Sequence, residues 1–212
     1  ILEIAPAVAQ AAMDSGVATR PIQDFSAYRQ KLSEFVYNSA FMMKPIFAQA
    51  KTAPKRIAYA EGEDLRVLRA VQIAVDEELA FPILVGRTAV IEANIKKLGL
   101  RLEHGVNIEI VDQEKNPNYE LFADDYYQIM QRKGVTPEYA HREARRRSTL
   151  IAAMLVKHGH ADGMLCGTYS SYDIHLDFVK NVIGLKEGRS TFFTLNALML
   201  QDRNLFIADT YV

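Results

Sequence analysis

The sequence has little of what marks secreted, metal-binding or nucleic-acid-binding proteins. Among its 212 residues there is one cysteine and no tryptophan, and the formal net charge is only -1. A single cysteine excludes an internal disulfide framework and suits a reducing cytosol, so we predict a cytoplasmic protein. Balanced charge favours neither nucleic acid nor an anionic membrane as partner, and no apolar run reaches membrane-spanning length. The 5 histidines are scattered without ligand spacing, which predicts no metal site in this chain.

The first strong structural signal is the stretch at 55–70, KRIAYAEGEDLRVLRA. A short apolar run breaks at an acidic turn, and apolar residues at helical spacing follow. The pattern predicts a strand, a turn at the carboxyl edge of a parallel sheet and a helix. Because Glu61, Glu63 and Asp64 fill this turn with negative charge, it does not resemble a phosphate-binding loop. We interpret Glu61 and Asp64 as helix-capping acids that pair with nearby arginines.

Strand-like and helical segments alternate after this stretch. Such alternation predicts an α/β fold with a mostly parallel sheet. The last two apolar runs, separated by QDRN, are typical of a β-hairpin. Strands are predicted at 57–60, 81–86, 106–112 and 161–167, helices at 89–98, 119–132, 136–158 and 173–183, and the hairpin at 190–212.

Three regions are predicted along the chain. Residues 1–53 form a helical connector whose apolar faces need a neighbouring domain or a second subunit to cover them. Residues 54–147 form a first lobe. Residues 148–212 start a second lobe and a new sheet region, which we expect to be cut at Val212 because the chain ends on an apolar run. The chain also has no initiator methionine, so we expect a cut at its front.

Cys166, at the end of its predicted strand, is the one candidate nucleophile. Free cysteine more often serves as a small buried apolar residue, so we favour a structural role. Ser170 and Ser171 follow in the next loop. They are expected to cap the helix after them rather than to form a catalytic site.

The run of Arg145, Arg146 and Arg147 is the clearest basic cluster. Guanidinium groups suit phosphate oxygens, so the run could bind a phosphate-bearing ligand. Consecutive helical residues point in different directions, and therefore the three cannot all face one site. A solvated helix face that pairs with Glu138 or Glu143 is an equally open interpretation.

Several segments occur in an order and spacing that resemble the phosphate acetyltransferase fold over 54–212. These segments are AEGEDLRVLRA, FPILVGR, RKGVTPEYA, HADGMLCGTYSSYD and FIADTYV. The resemblance implies a two-lobed, three-layer α/β/α fold of the isocitrate and isopropylmalate dehydrogenase type. The preceding IAPAVAQAAMDSGVATRPI resembles the junction in large multidomain bacterial malic enzymes, where such a domain follows the catalytic part.

By this resemblance, the chain is the regulatory and oligomer-forming domain of a malic enzyme. The whole protein would oxidatively decarboxylate malate to pyruvate with NADP or NAD and with Mg or Mn, all bound in the absent catalytic domain of the same protein. This chain would bind no cofactor. It would bind acetyl-CoA as an allosteric inhibitor and form a dimer within a homo-oligomer. An active phosphate acetyltransferase and a purely structural assembly module remain alternatives.

Two departures from the family pattern predict that acetyl transfer is lost. Met130 and Asp177 stand where active members of the family carry arginines. Replacing cations that hold a phosphoryl group by an apolar side chain and a carboxylate removes charge-assisted hydrogen bonds and adds repulsion. No residue of the chain is therefore assigned a catalytic role. The residues expected to line the acetyl-CoA cleft are Cys166, Gly167, Thr168, Ser170, Ser171, Arg146 and Arg147.

Overall fold

The structure, a computed structural model, describes residues 2–36, 40–200 and 203–209. It divides into two compact units. One contains Ile1–Ala48 and Thr191–Val212, and the other contains Gln49–Ser190. Within the described residues, every helix is too short or too polar to cross a membrane.

Fifteen regular helices and strands follow one another along the described chain. A 3-10 turn (Gln131–Lys133) follows the sixth helix, and a π-helical turn (Val179–Ile183) follows the ninth. The elements are α1 (Ile4–Asp14), α2 (Phe25–Val36), α3 (Ala40–Thr52), β1 (Lys55–Tyr59), α4 (Leu65–Asp76), β2 (Ala80–Val85), α5 (Thr88–Leu98), β3 (Glu109–Val111), α6 (Tyr119–Met130), α7 (Pro137–Arg146), α8 (Ser148–Lys157), β4 (Gly163–Leu165), α9 (Tyr172–Phe178), β5 (Leu195–Met199) and β6 (Asn204–Ala208).

The larger unit is built around a four-stranded parallel sheet with the strand order β3-β2-β1-β4. Side chains of successive strand residues point to opposite faces of a sheet. On one face, Ala58, Ile83 and Val85 pack against buried residues of α6, α7 and α8. On the other face, Leu84 and Ile110 pack against α4 and α5. The predicted α/β fold with a parallel sheet is confirmed, and in this unit it has three layers.

Local sequence signals explain where several helices begin and end. The Asp64 carboxylate accepts a hydrogen bond from the Arg66 backbone N–H at 2.8 Å and so caps α4. The Thr136 hydroxyl accepts one from the Tyr139 backbone N–H at 3.2 Å at the start of α7. Gly99 ends α5 in the left-handed conformation, at φ +63°, which glycine adopts without steric cost.

The prediction of a single helix over 136–158 is wrong, because the structure has two helices in this range. Arg147 has an extended backbone, with φ -110° and ψ 96°, and separates α7 from α8. Ser148 and Thr149 follow it, and side chains of these types compete with the helical hydrogen-bond pattern. The break changes the direction in which the arginine run presents its side chains.

Of the strands that follow Ser148, only β5 and β6 form a separate sheet. Strand β4 pairs in parallel with β1, from Ile57 opposite Gly163 to Tyr59 opposite Leu165, and so joins the first sheet. The larger unit continues past it to residue 190. The assignment of 1–53, 54–147 and 148–212 to a connector and two lobes stays a prediction.

The smaller unit contains α1, α2 and an antiparallel pair of strands. Strands β5 and β6 pair from Leu195 opposite Ala208 to Met199 opposite Asn204, as expected for the predicted hairpin. The first two residues of its QDRN turn and the last three residues of the chain lie outside the described residues. In α1, the apolar side chains of Ile4 and Val8 are 69% and 62% exposed.

Candidate functional site

A polar cleft of about 310 Å³ lies at the carboxyl edge of the four-stranded sheet. Ala60 follows β1 and Val85 ends β2, so the cleft occupies the edge where open α/β sheets bind ligands. Its wall combines four carboxylates with three guanidinium groups. The lining residues are Ala60, Glu61, Glu63, Asp64, Val85, Arg87, Gln113, Glu114, Arg145, Arg146, Ser148 and Tyr169.

Two carboxylates of the cleft are held by arginines. The Glu63 carboxylate accepts two hydrogen bonds from the Arg87 guanidinium, at 2.9 Å and 2.8 Å, and this pairing lowers the pKa of Glu63. Hydrogen bonding to Arg66 likewise lowers the pKa of Asp64 to about 2. Both groups are therefore anionic at neutral pH, and their charges are already compensated.

Glu61 has a different role from the one predicted. Its side chain is buried, at 4% exposure, and accepts a hydrogen bond from the backbone N–H of Gly167 at 2.9 Å. The Thr168 hydroxyl lies 3.5 Å from the other carboxylate oxygen. The prediction of Glu61 as a helix-capping acid is wrong, because its carboxylate faces the loop after β4. The prediction that Asp64 caps a helix is confirmed.

The buried His175 contacts the same loop, the one that follows β4. Its Nε2 lies 2.7 Å from the Tyr169 carbonyl oxygen, and its Nδ1 lies 2.8 Å from the Thr149 hydroxyl. A carbonyl oxygen only accepts, so Nε2 carries the hydrogen, and in the neutral ring Nδ1 accepts from Thr149. The Glu61 carboxylate is 4.0 Å from Nδ1. These contacts place the exposed side chain of Tyr169 in the cleft wall.

Cys166 is exposed, so the expectation of a small buried apolar residue is wrong. Strand β4 is an edge strand, and its last residue, Leu165, is 55% exposed. Partial desolvation, together with the negative charge of Glu61, raises the pKa of the Cys166 thiol to about 11. At neutral pH the thiol is protonated and therefore a poor nucleophile.

The two loop serines do not act as predicted. Ser171 occupies the N-cap position of α9, but its side chain makes no capping hydrogen bond. Ser170 has a left-handed backbone, at φ +74°, which is uncommon for a residue with a side chain. The backbone of the loop, rather than its hydroxyl groups, therefore shapes the start of α9.

The three consecutive arginines separate at the break between α7 and α8, where Arg147 lies. Arg145 and Arg146 line the cleft. The Arg147 Nε instead donates to the buried Glu143 carboxylate at 3.1 Å. Within the described ranges, Arg145 and Arg146 have no ion-pair partner.

Among the residues predicted to bind acetyl-CoA, Arg146 lies in the cleft wall. Gly167 and Thr168 lie behind this wall, where they contact the Glu61 carboxylate. Tyr169, which lies between the predicted residues Thr168 and Ser170, lines the cleft. The cleft wall also contains Arg87, Gln113 and Tyr169, to which the sequence analysis assigns no role. Each is separated from the others in sequence, and only the parallel sheet order brings them to one edge.

Met130 and Asp177, which the family resemblance predicts to replace arginines, offer no cation. Met130 is half-buried and packs against the apolar core formed by α6, α7 and α8. Asp177 is exposed on α9. Burial raises the pKa of Tyr126 to about 12, with further contributions from nearby groups including the negative charge of Asp177.

The described residues contain no group of three or more His, Cys, Asp or Glu side chains arranged to hold a metal ion. His158 and His160 are engaged instead in ring contacts with Phe122, at centroid distances of 5.2 Å and 6.4 Å. These two imidazoles pack beside the apolar core.

Comparison with known proteins relates both the sequence and the fold to characterised families. The profile of the phosphate acetyl/butaryl transferase family matches residues 41–212. The NADP-dependent malic enzymes of Escherichia coli (strain K12) and Haemophilus influenzae are 53% and 51% identical to the chain over 212 residues. These matches cover 100% of the chain and 28% of each relative, so the chain spans little more than a quarter of their length.

A solved structure gives the same fold. The crystal structure of a phosphotransacetylase from Streptococcus pyogenes superposes with a TM-score of 0.64 at 24% sequence identity. The superposition covers 74% of this chain and 47% of that one. At this identity the likeness concerns the fold alone.

Proposed function

The chain belongs to the phosphate acetyl/butaryl transferase family, and from this premise we propose that it is a regulatory domain, without transferase activity, of a malic enzyme. The whole protein oxidatively decarboxylates malate to pyruvate with NADP or NAD and a divalent Mg or Mn ion, in a part that lies outside this chain. Acetyl-CoA binds the domain described here and inhibits that reaction. The domain also dimerises within a homo-oligomer.

The main support for the proposal is the position in the chain at which each similarity to known proteins begins. The family profile starts at residue 41, whereas the malic enzymes match all 212 residues at about half identity. The first 40 residues, which precede the transferase-like part, are therefore shared with malic enzymes. This pattern supports a transferase-like domain joined to a malic enzyme rather than a free-standing transferase.

The chemistry at two positions supports the absence of transfer. In acetyl transfer, cations hold the attacking phosphate and stabilise the negative charge that develops on the carbonyl oxygen of the acetyl group. Met130 offers an apolar side chain packed on the core, and Asp177 offers a carboxylate. In a desolvated site, each replacement of a cation removes a charge-assisted hydrogen bond worth about 1.5–3 kcal/mol.

The cleft itself supports retained binding of an anionic ligand. Arg145 and Arg146 present guanidinium groups that no carboxylate of the described residues neutralises. The buried Nε2 of Gln113, in the same wall, has no hydrogen-bond partner among the described residues. A ligand with phosphate and amide groups, such as acetyl-CoA, supplies acceptors for both kinds of donor.

Inhibition requires that acetyl-CoA prefers one of two arrangements of the whole protein, with a coupling free energy of about 1–3 kcal/mol. The exposed apolar residues Ile4 and Val8 of α1 support contact with another domain or subunit. Such contacts are the route by which binding at this domain reaches the malate site.

Three measurements on the complete protein test the proposal. Titration calorimetry is expected to show acetyl-CoA binding, and malate-dependent reduction of the nicotinamide cofactor is expected to fall in its presence. Addition of phosphate to protein and acetyl-CoA is expected to release no CoA. Absence of acetyl-CoA binding would overturn the regulatory role, and phosphate-dependent CoA release would reveal an active transferase.

If the domain is only a structural assembly module, its deletion has a different effect. In that case, deletion of the domain changes the oligomer size but leaves the acetyl-CoA sensitivity of malate oxidation unchanged. Under our proposal the deletion abolishes that sensitivity. Light scattering and steady-state kinetics on the two proteins separate these outcomes.

A further inference from the structure

We propose that His175 is a pH-sensitive switch, which moves the loop after β4 when its ring takes up a proton. This loop covers residues 166–171 and carries Tyr169, whose exposed side chain lines the polar cleft. His175 is buried and contacts α8, the turn after β1 and the loop itself. Such a switch works whether or not acetyl-CoA binds this domain.

Each nitrogen of the neutral His175 ring has a different hydrogen-bond partner. Nε2 donates to the Tyr169 carbonyl oxygen at 2.7 Å, and Nδ1 accepts from the Thr149 hydroxyl at 2.8 Å. Thr149 lies in the first turn of α8, so the ring links this helix to the loop. Both hydrogen-bonding positions of the neutral ring are filled, which fixes its orientation.

The buried carboxylate of Glu61 lies near Nδ1 of His175 but beyond hydrogen-bond distance. Its Oε1 is 4.0 Å from Nδ1, and the two side chains are only 2% and 10% exposed. The same oxygen accepts the hydrogen bond from the Gly167 backbone N–H. Charges that are shielded from water in this way attract each other strongly, so a proton on the ring would draw the ring and the carboxylate together.

A proton on Nδ1 changes the partner that this nitrogen requires. Nδ1 becomes a donor and no longer accepts from Thr149. The Glu61 carboxylate is then the stronger acceptor, because it forms a charge-assisted hydrogen bond. Closing the gap of 4.0 Å requires the ring or the turn after β1 to move. Since Nε2 holds the Tyr169 carbonyl and Glu61 holds the Gly167 N–H, either movement displaces the loop.

Three consecutive residues of the loop are held through their backbones. Glu61 binds the Gly167 N–H, Arg66 donates to the Thr168 carbonyl oxygen at 3.3 Å, and His175 donates to that of Tyr169. The next residue, Ser170, has a left-handed backbone at φ +74°. Strain of this kind persists only where surrounding contacts hold it, so a shift of one contact lets the loop relax.

Other titratable groups on elements around α9 are neutral or already engaged. The pKa of the Cys166 thiol is raised to about 11 and that of Tyr126 on α6 to about 12, so both groups are uncharged at neutral pH. At the end of α7, Arg147 pairs with Glu143 at 3.1 Å. Lys157 of α8 donates to a backbone carbonyl oxygen of the π-helical turn at 3.3 Å.

The charged side chains of α9 and of its π-helical turn are exposed, where solvent and salt screen them. They are Asp173, Asp177 and Lys180. Glu61 is therefore the charge that responds most directly to a proton on His175.

Tyr169→Trp places a fluorescent reporter in the loop, since the chain has no tryptophan of its own. The emission of the complete protein without this replacement is subtracted. Histidine ordinarily titrates between about pH 5 and 8, and over this range the emission maximum is expected to shift in one reversible step. The far-UV circular dichroism should stay constant, because the loop moves without unfolding of the domain.

Two histidine variants in the reporter protein test whether His175 causes the step. His175→Gln retains an N–H donor for the Tyr169 carbonyl but takes up no proton in this range, so the step should be lost. His160→Gln removes an exposed histidine and is the matched control, in which the step should be unchanged. A step that persists in His175→Gln, or an emission maximum that is constant with pH in the reporter protein, would overturn the proposal.

Two further variants test the partners of the ring. Glu61→Gln keeps an acceptor for the Gly167 N–H but removes the charge that attracts the protonated ring, so the step should move to lower pH. Thr149→Val removes the donor that stabilises the neutral ring, so the step should move to higher pH. The second variant tests the coupling independently if the first does not fold. A midpoint that stays unchanged in the folded variants would show that the ring titrates without these partners and would also overturn the switch.

Discussion

The buried carboxylate of Glu61 and the backbone N–H of Gly167 form a hydrogen bond of 2.9 Å between residues 106 positions apart. It joins the turn after β1 to the loop after β4. The loop contributes Tyr169 to the polar cleft. One carboxylate therefore controls how two neighbouring strand ends are held at the ligand edge of the sheet.

Replacement of Glu61 by alanine is expected to destabilise the protein by about 1–3 kcal/mol, because the Gly167 N–H loses its acceptor. Urea unfolding at neutral pH measures this change. Glu92→Ala, which removes an exposed carboxylate from α5, is the control and should have little effect. Equal stability of both variants would contradict a structural role for Glu61.

Cys166 is expected to react slowly with iodoacetamide at neutral pH, although it is exposed. Desolvation and, second to it, the charge of Glu61 raise the pKa of its thiol to about 11. Only the thiolate attacks, so the reaction rate should rise with pH until it passes through that value. Glu61→Gln removes one cause, and the rate profile should move to lower pH. A profile that stays in place would show that the Glu61 charge does not reach the thiol.

Asp64 is expected to contribute stability that depends on pH in one direction. Its pKa is lowered to about 2, chiefly by hydrogen bonding to Arg66. The ionised form is therefore favoured by folding, and its contribution is complete above the unfolded value of about 4 and disappears as the pH falls through the folded value.

The capping contribution of Asp64 is measured with two variants. Asp64→Ala is expected to cost about 1 kcal/mol at neutral pH, whereas Asp64→Asn retains a capping oxygen and should cost less. In urea unfolding at about pH 3, the difference between wild type and Asp64→Ala should shrink. A difference that is constant with pH would show that the carboxylate charge plays no part.

Gly62 is expected to tolerate no side chain. A Cβ there would lie 2.9 Å from both the Leu84 Cβ and the Val85 carbonyl oxygen. Overpacking of this kind typically costs about 1–3 kcal/mol, which thermal or urea unfolding of Gly62→Ala can measure. Gly163→Ala is the matched control, since its Cβ would meet only Ile57 Cδ1, at 3.5 Å. Equal losses in the two variants would contradict the packing explanation.

Local patterns predicted the parts of the fold that depend on neighbouring residues. The cap at Asp64, the helix start at Thr136 and the helix end at Gly99 each require contacts within a few positions. The alternation of strands and helices gave the parallel sheet, because a helical crossover between successive strands favours parallel pairing. The break at Arg147 escaped this reasoning, because apolar residues recur at helical spacing on both of its sides.

Contacts between distant residues account for what could not be predicted at the site. Glu61 looked like a capping acid because Gly167 is remote in sequence. Cys166 looked buried because its strand is apolar, whereas exposure depends on the edge position of β4. The contacts of His175 with the Thr149 hydroxyl and the Tyr169 carbonyl oxygen have no sequence signature. Arg145 and Arg146 are part of the basic cluster that the sequence indicates, but their separation from Arg147 depends on the helix break.

The strand order β3-β2-β1-β4 has a consequence for how the protein is made. Strand β1 can pair with β2 soon after both leave the ribosome, but its other neighbour pairs Tyr59 with Leu165. At a synthesis rate of about 5–20 residues per second, roughly 100 residues take about 5 to 20 seconds to emerge. During that interval one edge of β1 has no partner, and an unpaired strand edge of this kind exposes a nascent chain to aggregation.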